Sequence, residues 1–171
     1  LLLLFGWFFV WIQSLFKMGA IAGMLGLLPD FIQDLVPVPL EQFATPRGRL
    51  TILYMHIVTL LICFGWAIAR GSSAVSGGIA AGTHELILTL PIRRASVLIS
   101  VGCVAAVGAL LLAFSIWLGN CLGLLTVTLE GGPVSPWDFL PAAVNLFFVM
   151  FCLTGMTTLI SAFGKDRWRT S

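Results

Sequence analysis

The sequence predicts an all-α, polytopic membrane protein. Three observations carry that prediction: a mean hydropathy of +1.06, a charged content of 9% against 59% hydrophobic residues, and four long apolar runs bounded by basic or turn-forming residues. Soluble domains carry about 25% charged residues, so here the bilayer is the solvent. The useful quantities are then spans, loops and charge asymmetry. The net charge of +2 says less than where the charges fall.

A helix needs about 20 apolar residues to cross the roughly 30 Å hydrocarbon core. The first run, residues 1–16, opens "LLLLFGWFFVWI" and ends at Lys17, which can snorkel to an interface. A secretory signal peptide would need a basic n-region and a small-residue cleavage site. Neither is visible, so the run reads as a membrane helix whose missing turn lay upstream, and the chain is expected to be a fragment. The second run, residues 50–69, is ended by Arg70. The third, residues 95–118, follows Arg93 and Arg94, with Gly119 and Asn120 expected to break it before a further apolar stretch. The fourth, residues 140–163, is opened by "SPWDFLP" and closed by "GKDRWR". Together they predict a single transmembrane domain over residues 1–171.

Lys and Arg accumulate in cytoplasmic loops. Six of the nine, Arg70, Arg93, Arg94, Lys165, Arg167 and Arg169, fall between runs two and three or in the tail. Loop 70–94 and tail 164–171 are therefore expected in the cytoplasm. The other side receives Lys17, Arg47 and Arg49 with Asp30, Asp34, Glu41, Glu130 and Asp138, and is net acidic.

The non-cytoplasmic segment 17–49 begins "MGAIAGMLGLL", too short to span, continues "PDFIQDLV" and finishes in the turn-rich "PVPLEQFATPRGR". Its first half, residues 18–36, reads as a re-entrant or interfacial helix. Alternatively the first span extends past Lys17 to Leu28 with a tilt.

Loop 70–94 is "RGSSAVSGGIAAGTHELILTLPIRR". Its first part is small and flexible. Its second sets Leu86, Ile87, Leu88 and Leu90 beside Thr83, His84, Glu85 and Thr89, which predicts a short helix on the membrane surface. Ser72, Ser73 or Ser76 can cap the start, Pro91 stops it running into the next span, and Arg93 and Arg94 hold it outside the hydrocarbon.

A span, then Gly82, Thr83, Glu85, Leu86, Leu88, Leu90, Pro91, Arg93 and Arg94, then another span, resembles the permease subunits of ABC-2-type ABC transporters. In that family the loop between spans two and three carries a Gly-Thr-Leu-Glu-Leu-Leu-Leu segment followed by a Pro and a basic residue. The resemblance covers essentially the whole chain and implies an ABC-2-type permease architecture of about six spans, of which these are the first four. It also implies that the loop holds a coupling helix docking on a separate nucleotide-binding ATPase subunit. ATP and Mg would be bound there, with no cofactor in this chain. A second permease protomer, in a homo- or heterodimer, a prokaryotic inner membrane and export follow by the same implication, with no nucleic-acid partner. One departure is visible. Family members commonly carry charged residues before the Gly-Thr pair, whereas this chain has Gly78, Ile79, Ala80 and Ala81, leaving Glu85 as the loop's only carboxylate.

His84 and Glu85 lack the company that catalysis needs. No nucleophile or metal-ligand partner accompanies them, and "SGGIAAGTH" lacks the Lys-Ser/Thr ending of a P-loop. Cys63, Cys103, Cys121 and Cys152 each stand alone in apolar runs and read as packing residues. No catalytic, cofactor-binding or metal residue is expected. His56 is an ionisable group within a span, which points to function by default or to a neutral imidazole bonded to a neighbouring helix. The alternative to a permease is a membrane-embedded enzyme centred on His56, or a scaffold, with no ATPase partner. Gln13 and Asn145 are expected to bond across helices. Gly19-x-x-x-Gly23, Gly78-x-x-x-Gly82 and Gly119-x-x-x-Gly123 permit close helix approach. Trp66, Trp137 and Trp168 fall near span ends, while Trp7, Trp11 and Trp117 are harder to place.

Overall fold

The computed structural model describes residues 1–15, 45–74, 94–129, 132 and 134–163. Regular structure among them is entirely helical: α1 (Leu2–Leu15), α2 (Pro46–Met55), α3 (Ile57–Ser72), α4 (Arg94–Thr126), a 3₁₀ turn (Pro136–Phe139) and α5 (Leu140–Phe163). The segments 16–44, 75–93 and 164–171, which include the expected interfacial helix, most of the central loop and the basic tail, lie outside the described residues.

Local chemistry sets the helix starts. The Thr45 side chain caps α2, accepting from the Gly48 N–H at 3.1 Å, and Pro46 takes the first turn, where its missing N–H costs nothing. At the 3₁₀ turn Ser135 precedes the first residue without a side-chain cap, Pro136 takes the first position and Asp138 places a carboxylate in the turn.

Pro46–Ser72, Ala95–Thr126 and Pro136–Ala162 are each long and apolar enough to cross a membrane. Helix α1 is apolar but has 14 residues, about 21 Å, less than the roughly 30 Å core. Side chains such as Leu98, Val107, Leu110, Phe148, Leu159 and Ile160 stand exposed along α4 and α5. In water that surface would be an aggregation liability, and in lipid it is the solvent-facing side.

Two expectations need correction. The third span does not break at Gly119 and Asn120, because α4 runs through both to Thr126. The second span, expected as a continuous helix, is interrupted at His56, which is extended (φ −65°, ψ 138°) between α2 and α3.

The chain divides into two compact units. The first joins Leu1–Thr59 to Ala113–Val144, and the second joins Leu60–Leu112 to Asn145–Ser171. In the first, α1 packs on α2 and meets α4 through glycines. A Cβ on Gly6 would lie 3.0 Å from the Ile116 carbonyl oxygen and 3.3 Å from the Asn120 amide nitrogen. One on Gly119 would run into the Leu3 carbonyl, and one on Gly123 would meet Val10. Gly119-x-x-x-Gly123 thus serves packing within the chain. That contact is also the physical reason α4 continues: a Gly-Asn pair ends many helices, but here Gly119 is the notch that receives α1 and Asn120 is 1% exposed.

In the second unit the buried faces are built from small side chains at helical spacing. Cys63, Ala67 and Gly71 of α3 are sealed, as are Ala105 and Ala109 of α4. Trp66 lies over Gly108, where a Cβ would collide with its ring. Leu146, Met150 and Thr154 form the matching buried face of α5. Small residues in step let helix backbones approach closely, which is how membrane helices associate without a hydrophobic drive between them.

Candidate functional site

Of the expected docking residues, Gly82, Thr83, Glu85, Leu86, Leu88, Pro91 and Arg93 lie outside the described residues, and Arg94 is the first residue of α4. The structure therefore describes the two stems of the loop. They differ. The last turn of α3 is held against α5: a Cβ on Gly71 would overlap the Thr157 hydroxyl and lie 2.7 Å from the Thr154 carbonyl oxygen. One residue on, the Ser161 hydroxyl donates to the Ser72 carbonyl at 3.0 Å. The first turns of α4 are open, with Ala95, Ser96, Leu98, Ile99 and Ser100 all exposed.

A second feature lies within the membrane-spanning helices. At the His56 interruption, backbone groups lose their helical partners inside an apolar medium, where each unmet group costs several kcal/mol. Side chains replace them. His56 Nδ1 accepts from the Val58 N–H at 3.2 Å, capping α3, and the buried Thr59 hydroxyl donates to the Leu53 carbonyl at 2.8 Å. Phe5 and Phe9 of α1 flank the ring, with centroids 5.4 and 5.7 Å away. The sequence reading has the imidazole bonded to a neighbouring helix, whereas its partner is the chain's own backbone two residues on.

Two residues from the break, Tyr54 is buried and stacks on Phe139 with centroids 6.5 Å apart. Its hydroxyl and the Asn120 side chain approach each other across α2 and α4, though not in a geometry that satisfies either group. Arg49 is also buried in this unit. At the surface, the exposed Arg47 and the half-buried Asp138 pair at 3.9 Å, an interaction worth at most about 1 kcal/mol.

The indoles that resisted placement find partners. Trp7 Nε1 donates to Thr126 Oγ1 at 3.0 Å, and Trp117 Nε1 donates to the Pro136 carbonyl at 3.2 Å while packing on Trp137 at 5.7 Å. Thr126 and Pro136 stand at helix ends. Asn145 is exposed on α5, and Gln13 is half-buried on α1. The four cysteines are unpaired, and among the described residues no cluster of three His, Cys, Asp or Glu could hold a metal.

A family model described as "ABC-2 family transporter protein" matches residues 8–170. The chain belongs to the ABC-2 transporter family. It is thus an integral membrane permease subunit of an ABC transporter, and the three long apolar helices accord with that. No curated protein and no solved structure matches it. Sequence reasoning missed two features of this ABC-2 permease. The α3 contact with α5 had a signal, since Thr59, Cys63, Ala67 and Gly71 are small residues four apart, a pattern hidden by searching for glycine pairs alone. The His56 break had none, because "YMHIVTL" contains no Pro or Gly.

Proposed function

We propose that this permease subunit couples ATP hydrolysis on a separate nucleotide-binding subunit to substrate export, through loop 70–94. The observation that carries the reading is positional. The segment from Gly82 to Arg94 joins α3, the second half of the membrane-length stretch Pro46–Ser72, to the membrane-length α4, and combines an apolar Leu ladder with one carboxylate, a helix-stopping proline and two arginines. A surface helix of that composition is anchored by its leucines and leaves Glu85 free to meet a partner. The excess of Lys and Arg in this loop and in the tail supports a cytoplasmic position for both, in an inner membrane.

In operation, ATP and Mg bind on the partner subunits, whose closure pushes the coupling helices of two protomers and rocks the permease between access states. This chain contributes the lever and the path, and no hydrolytic chemistry. Pro91 and the paired arginines set a fixed end to the lever at the membrane boundary.

The reading predicts that an ATPase with a P-loop co-purifies with the permease. Charge reversal at Glu85 (Glu85→Lys) or disruption at Pro91 (Pro91→Ala) is expected to uncouple ATP hydrolysis from transport while membrane insertion stays intact. Normal transport by both variants would remove the loop from the mechanism.

A further inference from the structure

The two stems of loop 70–94 are built differently, and the difference bears on where force goes. The C-terminal half of α5 carries four hydroxyls, on Thr154, Thr157, Thr158 and Ser161. Three of them turn back onto their own helix: Thr154 donates to Met150 at 2.9 Å, Thr158 to Thr154 at 2.7 Å, and Thr157 lies at 2.9 and 3.0 Å from the Leu153 and Thr154 carbonyls. Satisfied internally, they need no water and let another backbone come close. Ser161 departs from the pattern and donates to the Ser72 carbonyl on α3. That carbonyl belongs to the last turn of α3.

Gly71 completes the joint. It is buried, and its missing Cβ is the space that Thr157 occupies. The joint therefore combines a hydrogen bond, which fixes position along the helix axes, with an interlock that fixes the separation. The stem on α4 has exposed side chains at Ala95, Ser96, Leu98, Ile99 and Ser100, and the Ser100 hydroxyl bonds within its own helix to Val97 at 2.8 Å.

We propose that α3 is the drive stem of the loop, and that Gly71, Ser72, Thr157 and Ser161 form a clamp that carries the C-terminal half of α5 with it as one body, leaving the first turns of α4, ahead of the Ala105, Gly108 and Ala109 contact, free to change their separation from both. This rests on the coupling reading of loop 70–94. Packed elements with discrete arrangements transmit displacement, and a stem whose side chains stand exposed transmits less of it. The clamp residues are positioning residues: they touch neither nucleotide nor cargo.

The test uses the full-length permease in complex with its ATPase partner in nanodiscs, with Cys63, Cys103, Cys121 and Cys152 replaced and spin labels introduced at two pairs of exposed positions. Pair one is Ser73→Cys with Ala162→Cys, across the clamp. Pair two is Ser73→Cys with Leu98→Cys, between the stems. Between the nucleotide-free and the ATP, vanadate-trapped states, pair one is expected to keep the same distance and pair two to change. Adding Gly71→Leu should broaden pair one and make it nucleotide-dependent, while Gly65→Leu, on the same helix with open space beside it, should leave both pairs as in the parent. Ser161→Ala supplies a milder loosening if Gly71→Leu fails to assemble, and should broaden pair one in the same direction.

A nucleotide-dependent pair one in the parent complex overturns the clamp. So does a pair one unaffected by both Gly71→Leu and Ser161→Ala. Glu85→Lys separates this from the reading beneath it. If Glu85→Lys abolishes the response of pair two while pair one moves with nucleotide in the parent, the clamp alone fails. If pair two responds normally in Glu85→Lys, or responds to nucleotide in no variant, the coupling reading fails as well.

Discussion

Gly119→Leu is expected to destabilise this permease more than any other substitution at a described glycine. The obstacle to a side chain there is the main chain of Leu3, with carbonyl carbon and Cα at 3.0 and 3.1 Å from the would-be Cβ and the carbonyl oxygen closer still. Overpacking against side chains typically costs about 1–3 kcal/mol, because neighbours can shift rotamer. A backbone cannot, so α1 must move as a whole, taking with it the Gly6 contact to Ile116 and the Trp7 hydrogen bond to Thr126. The loss is expected to reach about 3 kcal/mol or more, at or beyond the top of that range. Thermal unfolding in detergent measures it directly. Gly102→Leu on the same helix is the control, since nothing lies within 4 Å of a Cβ there, and it should leave the midpoint unchanged. Equal drops for the two variants would mean that α1 does not cross α4 at these glycines.

The second large effect is at the helix break. His56→Leu keeps the bulk of the ring but removes the acceptor for the Val58 N–H. Losing an N-cap acceptor costs about 0.5–2 kcal/mol in water-facing helices, and the cost belongs at the upper end here, where no water replaces the lost bond. His56→Asn supplies a capping oxygen on a shorter side chain and is expected to recover at least half of the loss, despite weaker packing between Phe5 and Phe9. Thr59→Val, which removes the donor to the Leu53 carbonyl at nearly constant volume, should destabilise in the same direction. Unfolding midpoints of the three variants decide the matter. If the ring merely fills space, Leu will match or exceed Asn.

These two cases mark what the sequence reveals. The all-helical, membrane-spanning character was legible because apolarity over about 20 residues is a bulk property, although of the four expected spans three are membrane-length among the described residues and α1 is a shorter helix of 14 residues. Breaks and continuations depend on the neighbouring helix. Gly119 and Asn120 carry the composition of a helix end, yet α4 continues because Gly119 is the notch for Leu3 and Asn120 is enclosed opposite Tyr54. His56 stands in a stretch with no breaker, yet the helix parts there, with an imidazole and a threonine hydroxyl completing the backbone and two α1 aromatics enclosing the ring. Gly71 opens the polar "RGSS" segment and reads as the start of a loop. It lies inside the last turn of α3 because Thr157 occupies the space beside it. At Gly119 and Gly71 the deciding contact comes from a distant element, Leu3 of α1 and Thr157 of α5, beyond any local pattern, and at His56 local backbone bonds are enclosed by the α1 aromatics.

The claim on which the functional account turns is that the segment from Gly82 to Arg94 docks on an ATPase subunit. A photo-crosslinking residue placed in turn at Thr83, Leu86 and Leu88, and for comparison at Leu110 on the lipid-exposed side of α4, tests it in native membranes without knowledge of the cargo. The account predicts ultraviolet-dependent adducts between the loop positions and a subunit carrying a P-loop, and none from Leu110. Loop positions that give no adduct with such a subunit, in membranes where the permease is inserted and intact, would contradict it.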